Sequence, residues 1–316
     1  MKKLNWKTAR AAILLGGAAL IAAGCGGDDG DGDGSGLSGT IRLDGSSTVA
    51  PLSEAAAETF QEEESDVRVT VGTSGTGGGF EKFCAGETDL SNASREIKEE
   101  EAAACKTEGV EYEQVHIAND GLAVVVHPDN DWASCLTVEQ LKTIWDRDSK
   151  VDNWKDVDPK FPDEELELFG PGTDSGTFDY FTDAINGEEG RSRTDYQPSE
   201  DDNITVQGVS GNVGAMGYFG LSYVEQNEGK LKAIEVDGGD GCVAPSVDTV
   251  QSGDYAPLSR PLFIYPSAKL LEREEGLAFM EHYVGNSTAI AEQALFVPLT
   301  DDQLKTAEDA VEKLKG

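Results

Sequence analysis

The sequence predicts an α/β fold of two lobes with a ligand cleft between them. Three observations carry this expectation. Short β-branched or apolar segments alternate with segments of helical periodicity. Three strand–turn–helix units, at residues 40–62, 67–84 and 166–185, each put Ser, Thr and Gly at the helix start. Two apolar stretches, 116–128 and 258–266, have the character of crossover strands. The expected divisions are a first lobe at 40–120, a second at 121–244, and a return to the first lobe with the terminal helices at 245–316.

Residues 1–24 read as a targeting segment. Lys2, Lys3, Lys7 and Arg10 precede an apolar run at 11–23 that is short for a membrane span. It ends Ala22-Ala23-Gly24-Cys25, which resembles the lipobox of bacterial lipoproteins, with Ala22 where Leu is usual. That resemblance implies cleavage before Cys25 and lipid attached to it; a plain secretory signal is the alternative. Residues 25–39, almost all Gly, Asp and Ser after the cysteine, cannot build a core and form a flexible tether. Asp29, Asp31 and Asp33 hint at a calcium loop, but the twelfth positions are Thr40 and Arg42 instead of Glu, which excludes an EF-hand.

The first unit has a strand at 40–43, the turn Asp44-Gly45-Ser46-Ser47-Thr48, and a helix over about 51–62 with Leu52, Ala56 and Phe60 on one face. The second has alternating β-branched residues at 67–71. The turn Gly72-Thr73-Ser74-Gly75-Thr76-Gly77-Gly78-Gly79 and an apolar helix carrying Phe80 and Phe83 follow. In the third, Leu166, Leu168 and Phe169 form a strand that Gly170, Pro171 and Gly172 stop. Thr173, Asp174 and Ser175 are helix-capping residues, with Phe178, Phe181 and Ile185 at helical spacing behind them. Unpaired N–H groups at a helix start, with nearby hydroxyls, suit an oxyanion. One such turn is ordinary; three together are specific. None carries the Walker lysine, and 75–80 lacks the last Gly of a dinucleotide fingerprint. Ser94-Arg95 follows a Ser/Asn turn before an acidic helix. Arg95 is either the fixed cation against an anion or a surface residue paired with Glu99 or Glu100. Further on, 138–145 reads as a helix, 187–203 as a polar loop and 204–221 as a Gly-rich stretch. A strand at 231–236 and helices at 274–285, 287–294 and 301–315 complete the reading.

Composition bounds the function. The formal charge is −35, and removing the four positive residues of 1–24 takes it to −39, which excludes nucleic acid as a partner. Cys84, Cys105, Cys135 and Cys242 remain beside Cys25 and allow three disulfide connectivities. Cys84–Cys105 with Cys135–Cys242 is preferred because each pair then falls in one lobe. No Cys-x-x-Cys pair supports zinc, so no metal or cofactor is expected. The three histidines, His116, His127 and His282, form no catalytic pattern, and no Gly-x-Ser-x-Gly occurs.

The turns at 44–48, 72–80, 94–97 and 170–178, with Leu258-Ser259-Arg260-Pro261-Leu262, resemble the phosphate-binding lipoproteins (PstS type) of ABC phosphate importers. The resemblance spans about 40–298. It implies a type II periplasmic-binding-protein fold whose lobes close on one inorganic phosphate, and delivery to ABC permease subunits by a monomer anchored outside the cytoplasmic membrane through its lipid. By position it implies Ser47 and Thr48 as one helix-start pair and the Ser74–Gly77 turn as the second, with Thr76 or Ser74 as donor. Ser175, Gly176 and Thr177 make the third. The chain departs from the pattern at Ser94, where an Asp is usual, and at Pro171, where an Arg is usual. Arg95 then stands as the replacement cation and Asp174 as the acceptor of the phosphate proton. The alternatives are a receptor for another tetrahedral oxyanion and, from another class, a secreted phosphoryl- or acyl-processing enzyme.

Overall fold

The computed structural model describes residues 36–173 and 175–315. The targeting segment, Cys25, most of the tether and Asp174 lie outside the described residues. β1 (Gly39–Gly45), α1 (Ala50–Glu63), β2 (Val67–Val71), α2 (Gly75–Cys84), β3 (Leu90–Ala93) and α3 (Glu99–Glu108) come first, followed by the long β4 (Val115–Val126). β5 (Cys135–Thr137), α4 (Val138–Trp145), α5 (Trp154–Val157) and β6 (Glu167–Pro171) come next, and α6 (Gly176–Phe181) runs into a π-helical turn at Thr182–Asn186. Then come β7 (Gln197–Ser199), α7 (Asp202–Gly211), β8 (Ala215–Gly220), α8 (Leu221–Gln226), β9 (Lys232–Ala233), β10 (Glu235–Asp237) and β11 (Cys242–Val243). α9 (Val247–Ser252), β12 (Ser259–Pro266), α10 (Ala268–Leu271), α11 (Glu274–Gly285), α12 (Ser287–Gln293) and α13 (Asp301–Lys315) follow.

The main sheet has the order β2-β1-β3-β12-β4-β8-β6-β7, with β9 also on β4. β1 pairs in parallel with β2 and β3, and β6 with β7 and β8; β12 and β4 are antiparallel to each other and to their neighbours β3 and β8. These two central strands pass from one core to the other. In β4, Val115, Ile117 and Ala118 pack in the first core, with Ile41, Leu52 and Phe279, whereas Leu122–Val126 pack in the second, with Trp145, Phe169 and Tyr218. Leu258 belongs to the second core, and Leu262 and Ile264 of β12 belong to the first. At the crossing, a Cβ on Gly121 would lie 2.5 Å from Val250, so only glycine lets α9 lie against the strand.

Two sequence expectations change. Val250 and Tyr255 pack in the second core, so the chain re-enters the first core at β12 and not at 245. The Gly-rich 204–221 stretch is a helix and a strand. α7 buries Thr205, Val206 and Val209. Its Gly208 is there for packing, since a Cβ would meet the Phe169 ring at 2.2 Å. Glycine lowers intrinsic helix propensity by about 1 kcal/mol, and here close helix–sheet contact overrides it.

The structure joins Cys84 to Cys105, linking α2 to α3, and Cys135 to Cys242, in the second lobe. The second bond closes the longer loop, with a separation of 107 residues against 21. A closed loop constrains the unfolded chain, and the effect grows with length at about 2–4 kcal/mol per bond. Replacing Cys135 and Cys242 with Ser should therefore lower the urea midpoint more than replacing Cys84 and Cys105. Tryptophan fluorescence through the transition measures this, and the reverse order would count against the account.

Candidate functional site

Each turn that faces the cleft is shaped by its own sequence. β1 ends at Gly45, whose φ of +141° and contact with β3 (a Cβ would lie 2.1 Å from the Asn92 carbonyl) require glycine. Ser46 N–H then donates to that carbonyl at 2.9 Å. The N–H groups of Ser47, Thr48 and Val49 have no acceptor among the described residues, because α1 starts immediately after them.

The second turn is held by Asp44, which accepts from Ser74 N–H at 2.9 Å, Ser74 Oγ at 2.7 Å and Lys82 Nζ at 2.5 Å. Partial burial pushes the Asp44 carboxyl up, but the bonds from Lys82 and Ser74 outweigh it and hold it below the ordinary value. The Ser74 hydroxyl proton is therefore spent on Asp44, which leaves Thr76 as the hydroxyl of this turn. Thr76 Oγ1 accepts from Ser94 N–H at 3.3 Å and lies 3.2 Å from Ser94 Oγ. Gly79 lets α2 pack against β1, since a Cβ there would lie 2.5 Å from Gly45 Cα.

In the second lobe, Ser175 Oγ caps α6 by accepting from Thr177 N–H at 3.2 Å. The first and third turns touch. A Cβ on Gly176 would lie 2.7 Å from Thr48 Oγ1 and 3.2 Å from Thr48 N.

The cleft between the turns has a volume of about 620 Å³. Of the expected residues, Ser47, Thr48, Ser74, Thr76, Gly77, Ser94 and Arg95 line it. From the second lobe the wall is Asp179, Tyr180, Asp183 and Glu189, and not Ser175 or Thr177; Gly176 reaches it only through its contact with Thr48. Arg95 lies at the rim with its fork on Glu101, at 2.8 and 2.9 Å, and its Nη1 on the Glu96 carbonyl at 3.0 Å. The partner is thus Glu101, not Glu99 or Glu100.

Sequence reasoning missed the deeper residues. Arg260, on β12, is 3.1 Å from the Asp120 carboxylate and donates to Thr48 Oγ1 at 3.0 Å. Its guanidinium carbon lies 3.6 Å from the centre of the Tyr180 ring. A signal existed: Asn119-Asp120-Gly121 interrupts an apolar strand with polar residues and a glycine. Burial pushes the Asp120 carboxyl up, and Arg260 pulls it back.

A family model described as a PBP superfamily domain matches residues 33–287. The chain is 40% identical over 302 residues to the phosphate-binding protein PstS of Staphylococcus saprophyticus, covering 95% of this chain and 92% of that one. The chain belongs to the PstS family within the PBP superfamily. It is also 47% identical over 262 residues to the protein SphX of Synechococcus elongatus, covering 82% of this chain and 77% of that one. Among solved structures, a possible phosphate-binding protein from Planctomyces limnophilus is 45% identical with a TM-score of 0.85, covering 89% of this chain and all of that one. A putative phosphate ABC transporter substrate-binding protein with bound phosphate, from Clostridium perfringens, is 27% identical with a TM-score of 0.56, over 83% of this chain and all of that one. Placed in the PstS family, the chain keeps the two Ser, Thr and Gly turns of its first lobe on the cleft, and Arg260 joins them there.

The acidic wall of the cleft has a readable titration. Burial first, then the neighbouring Glu189, push Asp179 up from 3.8 to about 6, against the pull of Arg260. The folded protein therefore holds this proton between pH 3.8 and about 6, and stability falls as pH rises through that window. Carboxyl NMR should place the Asp179 midpoint near 6, and Glu189→Gln should lower it partway. A midpoint at the ordinary value would contradict the described cleft.

Proposed function

We propose that this protein is an extracytoplasmic solute receptor that captures inorganic phosphate and delivers it to the permease of an ABC importer. The observation that carries the reading is that the turns before α1 and α2 open into one cleft, and that the turn before α6, from the second lobe, meets the first of them at Thr48 and Gly176. Helix N-terminal N–H groups and the dipoles behind them favour an anion without a full counter-charge. The proposed donors are the N–H groups of Ser47, Thr48, Thr76 and Gly77, the hydroxyls of Thr48 and Thr76, and, from the Ser175–Thr177 turn, the Gly176 N–H beside Thr48. Ser94 orients Thr76. Asp174 remains the proposed acceptor of the phosphate proton, and Arg95 a rim cation that Glu101 neutralises. Closure of the lobes removes water and strengthens each bond. The relatives are binding proteins, not enzymes, and no turnover of phosphate esters is expected.

Isothermal titration of the chain without residues 1–24 tests this. Phosphate should bind, and sulfate and molybdate should bind far more weakly or not at all; preferential binding of either competitor would replace phosphate as the ligand. Gly176→Val should overpack the contact with Thr48. Overpacking costs about 1–3 kcal/mol, so affinity should fall roughly 5- to 150-fold with the fold intact by circular dichroism. An unchanged affinity would show that the lobes do not close on this contact.

Membrane anchoring is proposed from the sequence: the positive segment, the apolar run and Ala-Ala-Gly-Cys25 support lipid on the Cys25 sulfur, holding a monomer at the outer face of the cytoplasmic membrane. Cys25→Ser should move the protein from the membrane fraction to the soluble one. Continued extraction with detergent alone would mean a different anchor.

A further inference from the structure

We infer that Arg260 is the cation that meets the bound anion and couples it to lobe closure, an inference that rests on the phosphate reading. Arg260 belongs to neither lobe alone. It sits on β12, and its partner Asp120 sits on β4, so the ion pair bridges the two strands that cross between the cores. Asp120 holds one side of the fork: Nε lies 3.2 Å and Nη2 3.1 Å from its Oδ2. Nη2 also donates to Thr48 Oγ1 at 3.0 Å, which turns the Thr48 hydroxyl proton away from Arg260 and frees it for a ligand. The Nη1 group, with two N–H donors, has no partner among the described residues, and Arg260 lines the cleft. Its side chain is 18% exposed and that of Asp120 is 6% exposed. Burying such a pair costs more than its attraction returns unless further bonds satisfy it. An oxyanion on Nη1 completes the set.

Arg95 differs on each count. Both its Nη groups are engaged by Glu101 and the Glu96 carbonyl, and it is 34% exposed at the rim. Its fork already answers a carboxylate and fixes the start of α3. Tyr180 supplies the coupling. It rides on α6 with the second lobe, and its ring lies against the Arg260 plane at 3.6 Å. When the lobes part, that face of the guanidinium meets water; when they close, the ring excludes it. An anion on Nη1 is thereby held more tightly in the closed form, and Tyr180 acts as a positioning residue through Arg260.

The test titrates inorganic phosphate into the parent, Arg260→Gln, Arg260→Lys, Arg95→Gln and Tyr180→Leu at one pH and salt concentration, with stopped-flow rates for each. A bond from a charged donor corresponds to roughly a ten- to hundredfold change in affinity. Arg260→Gln should lose that much, Arg260→Lys should recover part of it because a point charge lacks the fork, and Arg95→Gln should change affinity less than about twofold. Tyr180→Leu should raise the dissociation rate while leaving the association rate near the parent's. Because Arg260→Gln leaves Asp120 buried and unpaired, the double variant Arg260→Gln with Asp120→Asn removes both charges and should show the same loss while folded. Either folded variant binding within twofold of the parent, or a larger loss at Arg95→Gln, overturns the inference and leaves phosphate binding standing. A parent that binds no phosphate overturns both.

Discussion

A helix start aimed at another helix start leaves N–H groups that neither helix can satisfy, and this constraint organises the molecule. α1 and α6 meet at Thr48 and Gly176, and α2 opens into the same cleft. No helix can turn its first carbonyls back to answer those donors. The glycines at 45, 79 and 176 are where backbone must pass against backbone to bring the starts together. The strands behind them set the direction: β1 and β6 run in parallel with their neighbours, so the turns after them emerge at the carboxyl edge, where open α/β sheets place their ligands.

The charge of the chain makes the local chemistry more informative. With −39 outside the targeting segment, the distant field opposes an anion. Salt screens exposed charges beyond about 10 Å, whereas helix dipoles and a buried guanidinium act within the cleft. Asp179, Asp183 and Glu189 on its wall add local repulsion, so selection for the anion rests on donors that reach it directly. Arg260 works against that wall, lowering the Asp179 carboxyl that Glu189 raises.

The fold class, the crossovers and the cleft-facing turns were legible because each is a local pattern. β2, α4, α11 and α13 fall where β-branching, capping and apolar spacing put them. The Thr137 and Gln140 capping box is a case where residue type and geometry agree. α7 was not legible, since its reason for Gly208 is the Phe169 ring, 39 positions earlier in the chain. The site divided in the same way. Ser47, Thr48 and Thr76 announce themselves beside glycine, and Arg95 stands in a polar turn where a cation looks useful. Arg260 sits in an apolar strand and takes its meaning from Asp120, 140 residues away. Local sequence shows which groups are available and does not show which are already paired.

The two strands that join the lobes lie side by side in one sheet, and this fixes the mechanics of the protein. Ser259, Arg260 and Pro261 run in register with Gly121, Asp120 and Asn119, and the register then shifts at Leu262 and Phe263. A two-stranded ribbon bends readily out of its plane and resists shear within it, as a leaf spring does. The register shift after Leu262 interrupts the ladder close to the ion pair, and Val297 takes both backbone bonds of Asn119 on the far side. Bending at this joint changes the angle between the lobes, and a group seated against Arg260 and Asp120 lies on the strands that both halves share.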